Sequence, residues 1–232
     1  MNNRDYEAWE ERMEEELREQ NPQNQTAEEP DEKEPWQVTI LSYMHDLVYL
    51  LSIVILLMML CFRIVTVSGT SMNKTLYDGD SLLLLANTFY KNPQYGDIVV
   101  ASKDTYDEGK AIIKRVIATE GQWVDIDFER GVVRISDDGM QTWHELDEPY
   151  VNTPTNLQEG MQFPVYVEEG CLFLMGDNRN GSLDSRSPDI GLVDKREVLG
   201  KVLLRVFPGT NGTDALGQPK EERDFGRVGV VD

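Results

Sequence analysis

The sequence predicts a mainly β protein, an antiparallel and partly closed sheet, preceded by one N-terminal transmembrane helix. Residues 47–62 read LVYLLSIVILLMMLCF without a single charge. After residue 80, short apolar segments alternate with Gly, Asp, Asn and Pro clusters, and no long helical period interrupts them. The first pattern suits a helix in lipid, the second suits strands joined by turns.

Taken in order, residues 1–35 hold thirteen acidic and four basic side chains and little aliphatic content. Tyr6, Trp9, Met13 and Leu17 recur at helical spacing, which gives one narrow apolar stripe on a solvated, partly formed helix. A docking helix for a partner fits the same spacing. The following NPQNQTAEEPDEKEP reads as a polar linker.

The apolar run comes next. Its sixteen uncharged residues fall short of the roughly 20 that a spanning helix needs, and extension back to Ile40 supplies 23. Trp36 and Tyr43 suit one interface and Arg63 the other. A cleaved leader is a poor fit, because an acidic tail rather than a basic segment precedes the run. Lys33 before the helix against Arg63 and Lys74 after it leans toward a cytoplasmic C-terminal side.

Strands are expected over 81–86, 97–101, 111–119, 123–128, 131–135, 162–167, 171–175 and 200–207. The tail after Pro208 lacks the apolar density for a core, and Asn211-Gly212-Thr213 matches a glycosylation sequon by a pattern common by chance.

A formal net charge of −20 leaves no basic stripe for nucleic acid and no broad attraction to anionic lipid. Cys61 and Cys171 make no disulfide framework, and with His45 and His144 as the only histidines no zinc site is expected.

Ser71, in Ser68-Gly69-Thr70-Ser71-Met72, follows Phe62 by nine positions, at most about 30 Å of extended chain from the apolar run. A serine hydroxyl is a weak nucleophile until a neighbour takes its proton. His45 and His144 remain open as that neighbour. Lys114, in Ala-Ile-Ile-Lys-Arg-Val-Ile-Ala, is another: strand alternation puts Ile112 and Val116 on its face, and desolvation there would favour the neutral amine. An edge-strand lysine that reaches solvent satisfies the same spacing. Arg115 is expected on the polar side. Residues 176–186, GDNRNGSLDSR, form a loop able to hydrogen-bond itself and its surroundings; it lacks the spacing and terminal Glu of a calcium loop.

SGTSM after an apolar helix, KRVIA further on and GDNRNGSLDSR, in that order, resemble the boxes of type I signal peptidases. The resemblance covers about residues 37–208 and is strongest to Gram-positive-like bacterial members. It implies a single-pass membrane serine endopeptidase, its catalytic domain extracytoplasmic, that removes signal peptides from exported preproteins with small residues one and three positions before the cut. By position, Ser71 would be the nucleophile and Lys114 the general base. Asp177, Ser182, Asp184 and Arg186 would support the site, Ser182 by positioning the lysine and Asp184 with Arg186 as an ion pair. The expected partners are signal peptides and the lipid bilayer, with no nucleic acid, metal or other cofactor. The implied divisions are an acidic tail (1–36), an anchor and its exit (37–67), a peptidase domain (68–208) and a C-terminal tail (209–232). Two positions depart from the family pattern. Lys74 stands where SMxPTL has proline, and Gly69 where some members carry a serine hydroxyl for the oxyanion hole. A self-cleaving repressor of the same Ser/Lys clan is disfavoured by the acidic tail and anchor. A catalytically inactive, membrane-tethered binding domain of the same fold is the alternative.

Overall fold

The computed structural model describes residues 3–20, 36–103, 106–151, 153–212, 220 and 222–231. The linker expected over 21–35 and Thr213 of the sequon lie outside these. The chain divides into two compact units, 1–53 and 54–232. The first holds α1 (Asn3–Gln20) and most of α2 (Trp36–Cys61). Tyr6, Trp9, Met13 and Leu17 of α1 are all exposed. No residue of α2 is buried, and its 26 residues span about 39 Å at 1.5 Å per residue, more than a ~30 Å hydrocarbon core requires.

After the last turns of α2, the extended regular structure of the second unit is antiparallel strand. Its larger sheet contains β1 (Phe62–Thr66), β2 (Ser81–Ala86), β3 (Ile98–Ser102), β4 (Ala111–Thr119), β9 (Cys171–Met175), β10 (Val193–Asp194), β11 (Val198–Phe207) and β12 (Gly229–Val230). The spatial order is β1-β2-β11-β3-β4-β9-β10, with β12 pairing to β11. A smaller sheet orders β7 (His144–Glu145), β6 (Val132–Ser136), β5 (Trp123–Asp127) and β8 (Val165–Tyr166). Both sheets are antiparallel throughout.

Strand alternation explains the core. Leu82, Leu84 and Ala86 of β2 are buried while the residues between them are only partly covered. In β3 both faces are covered: Ile98 and Val100 join Met72, Leu76 and Val202, whereas Val99 and Ala101 join Val116, Leu174 and Val198. Strand β4 contributes to three clusters, Ile113 to the first of these, Val116 to the second, and Ile117 to a third with Val124 and Phe173. Over residues 114–118 the side chains of β4 therefore have little access to water. That is what places Lys114.

The two-residue strands β7 and β10 were not expected, and three further elements differ from expectation. Strand β1 starts directly after Cys61, with no turn residue to mark the change from helix to strand. The segment 162–167 forms a ladder at Val165 and Tyr166 and bonds on through Val167 to Gly121 and Gln122, while Pro164, without an N–H, ends it on the other side. The C-terminal tail contributes β12, whose Gly229 and Val230 oppose Arg205 and Leu204.

Candidate active site

The residues after β1 turn sharply before β2. Gly69 adopts φ +100°, a conformation that strains a side-chain-bearing residue, and its N–H donates to Asp78 Oδ1 at 2.7 Å. Thr70 O accepts from Asn73 N–H at 3.1 Å and Met72 O from Leu76 N–H at 2.8 Å, so Ser71 sits at the start of a tight turn. Met72 and Leu76 anchor that turn in the core.

Lys114 is 4% exposed. Val99 opposes it across the β3–β4 ladder, and Ile112 and Val116 share that residue's apolar cluster. The expected face is thus the observed one. Its Nζ lies 2.9 Å from Ser71 Oγ and 3.2 Å from the Ile113 carbonyl. Burial pulls the Lys114 pKa down to about 8 against the opposing pull of Asp184 and Glu159. A neutral amine at this distance accepts the Ser71 proton; an ammonium donates to the same oxygen. Of the other candidate bases, His144 is exposed on β7, and His45 is an exposed α2 residue with its ring against Tyr49.

Arg115 is not on a polar face. It is 3% exposed and forms a two-bond pair with Asp177, Nε to Oδ1 at 2.9 Å and a terminal nitrogen to Oδ2 at 2.8 Å. Its guanidinium also lies 3.8 Å from the Tyr150 ring centroid. Simple alternation failed because β4 is covered on both faces and carries a register shift between Val116 and Ala118. A buried guanidinium needs a carboxylate, and Asp177 supplies it.

Asp177, Ser182, Asp184 and Arg186 are all at most 4% exposed. Asp184 accepts from Gly176 N–H (2.9 Å), from Ser182 Oγ (2.9 Å) and from Arg186 through Nε (2.8 Å) and a terminal nitrogen (2.9 Å). Arg186 continues to the carbonyls of Arg179 (2.6 Å) and Leu157 (3.1 Å). The Ser182 hydroxyl is thus given to Asp184, and the hydrogen bonds of Lys114 go elsewhere. Gly176 is tightly enclosed: a Cβ there would lie 2.2 Å from Ser182 Oγ and 2.5 Å from the Ser71 carbonyl.

Four residues that sequence reasoning did not single out complete the arrangement. Asn178 holds the Ser71 turn twice, its N–H donating to Ser71 O (3.0 Å) and its side chain to Thr70 O (3.0 Å). Thr75 Oγ1 donates to Asp177 at 2.5 Å. Arg179, fully buried, pairs with Glu148 and donates to Thr155 Oγ1 at 2.8 Å. Glu159 lies 3.4 Å from Arg186, and its Oε2 is buried without a hydrogen bond among the described residues. Burial, then the Asp184 charge, raise the Glu159 pKa. Asn178 and Arg179 lay inside the dense 176–186 stretch, so residue density was their signal; Thr75 and Glu159 had none.

The pair opens onto a cleft of about 290 Å³, bounded by residues 65–72 on one side and 110–114 on the other, with Leu183 closing it. Strand β4 pairs with β9 only from Arg115 onward, leaving residues 111–114 without a β9 partner. An extended peptide has a backbone edge to follow beside Ser71.

Residues 40–207 match a family model described as signal peptidase, peptidase S26. Among curated relatives, the "Probable signal peptidase I-1" of Synechocystis sp. is 34% identical over 151 residues, 62% of this chain and 70% of that protein. The signal peptidase I of Bacillus licheniformis is 33% identical, covering 61% of this chain and 75% of that protein. A solved signal peptidase I from Enterococcus faecalis is 27% identical, with 48% of this chain and 97% of that one aligned at a TM-score of 0.37.

Proposed function

The chain belongs to the signal peptidase family, peptidase S26, and from that premise we propose that it cleaves preproteins through a Ser71/Lys114 dyad at the extracytoplasmic membrane face. The observation that supports this most is the 2.9 Å approach of the buried Lys114 Nζ to Ser71 Oγ.

In this reading an extended signal peptide lies along residues 111–114 with its scissile carbonyl over Ser71. Neutral Lys114 takes the Ser71 proton as Oγ attacks that carbonyl. The Ser71 N–H stabilises the resulting oxyanion. Gly69 offers no hydroxyl there, and its N–H is engaged by Asp78, so further donation falls to other groups. The Lys114 ammonium then protonates the leaving amine, which departs as the new N-terminus of the mature protein. Neutral again, Lys114 activates water, and hydrolysis of the ester frees Ser71 and the signal peptide. Asp184 with Arg186 folds the 176–186 loop that meets the Ser71 turn, Asp177 with Arg115 ties that loop to the strand bearing Lys114, and Ser182 braces Asp184, whose charge acts on Lys114.

Helix α2 serves as the single anchor, residues 37–67 forming the membrane segment with its exit and 68–208 the body of the peptidase domain. Signal peptides are cut on exported chains, which requires the catalytic domain outside the cytoplasm. Arg63 and Lys74 after the helix, against Lys33 before it, are a weak count against that requirement.

The test is incubation of detergent-solubilised protein with a preprotein bearing Ala-x-Ala at its cleavage site. Wild type should release the mature N-terminus, and Ser71→Ala and Lys114→Met should not. Persistent cleavage by either variant overturns the dyad.

A further inference from the structure

The family match stops at residue 207, yet the chain beyond it returns to the nucleophile turn. Asp224 accepts from Gly226 N–H at 2.8 Å and tightens a turn at 225–227, and the Phe225 ring packs 5.4 Å from that of Phe207. Strand β12 then pairs with β11. Val231 packs against the cluster that contains Met72 and Leu76.

Arg227 makes the decisive contacts. Its guanidinium lies 3.8 Å from the Tyr77 ring centroid and 3.1 Å from Asp80 Oδ2. Asp80 is fully buried and closes the segment that Ser71 opens. It also accepts from Tyr77 N–H (2.9 Å), Gly209 N–H (2.6 Å) and Arg205 Nε (2.8 Å). Arg205 donates at 2.8 Å to the Arg227 carbonyl and also to the Thr75 carbonyl. From Thr75 the chain of bonds runs to Asp177 and Arg115, the residue beside Lys114.

We propose that residues 222–231 clamp the nucleophile turn, with Arg227 as a positioning residue that acts on Ser71 through Asp80 and Tyr77. A buried carboxylate shared by two guanidiniums fixes residues 77–80 more tightly than one would. The stack on Tyr77 holds the same turn from its other side. Because the geometry of attack tolerates little displacement, loosening 71–80 costs turnover more than substrate affinity.

This rests on Ser71 being the nucleophile, so the test pairs a kinetic with a structural readout. Full-length Arg227→Ala and Arg227→Lys are compared with wild type and with Arg196→Ala, an exposed pair-breaking control. Arg227→Ala should lower kcat about tenfold with KM changed less than about twofold, Arg227→Lys should recover part of the loss, and Arg196→Ala should match wild type. Hydrogen exchange should quicken at the amides of Leu76, Gly79 and Asp80 while those of β9 stay protected. Unchanged kcat with unchanged protection at 76–80 overturns the clamp, as does protection lost equally in β9, which marks general destabilisation. If wild type fails to cleave preprotein, the assignment of Ser71 fails instead, and exchange at 76–80 still decides whether the clamp exists.

Discussion

Lys114 shows what burying an amine costs in stability. Its folded pKa of about 8 lies below the ~10.4 of an unfolded lysine, so between those values the unfolded chain binds more protons. Stability must therefore rise with pH across that window, and below pH 8 the full cost, about 3 kcal/mol, is present. Lys114→Met keeps the volume and removes the charge, and is expected to gain about 1–3 kcal/mol in urea unfolding at pH 7. The difference should shrink above pH 10. Asn178→Ala deletes the side-chain bond to Thr70 O but keeps the backbone bond to Ser71 O. It should lower kcat about tenfold while unfolding shifts by only about 1 kcal/mol. Spacing alone left Lys114 open between a buried base and an edge-strand lysine; the resemblance of the three boxes singled out Ser71 and Lys114, and the structure brings the two side chains within hydrogen-bond distance. Arg115 was misread, since alternation assigns a charge to water and cannot foresee a buried carboxylate 62 positions later.

Strands and loops meet at the Arg115–Asp177 pair, which ties β4 to the 176–186 loop. Asp177→Asn leaves a buried guanidinium without its countercharge and should cost about 3–5 kcal/mol in urea unfolding, more than loss of any exposed pair. Gly176→Ala probes the same junction differently. Its methyl would press on Ser182 Oγ and the Ser71 carbonyl, so preprotein cleavage should collapse while circular dichroism still reports the sheet. Most strands were visible from turn residues and apolar runs, β2, β4 and β9 to the residue. Strand β1 was not, because no Gly, Pro, Asn or Asp separates it from the helix and five half-exposed residues are too few for their period to show.

Across the molecule, a signal-peptide-removing peptidase of the S26 family is joined to a helix long and apolar enough to cross a bilayer. Alkaline carbonate extraction should leave the full chain with the membrane and release a chain that begins at residue 62. Release of the full chain would contradict the anchor. Three motifs in order made the family readable over 37–208, because reactive residue types at strand and loop positions leave a dense signature. The C-terminal segment left none: its hold on the sheet comes from Arg223 and Arg227, the Phe225 ring, Val231 and a two-residue strand, none of which stands out in a polar tail. The central claim is that neutral Lys114 activates Ser71, and kcat/KM for preprotein cleavage from pH 6 to 9 tests it most directly. Neutral lysine is the active form, so the rate should rise about tenfold per unit up to a midpoint near 8 and then level. A flat profile across that range would contradict the account.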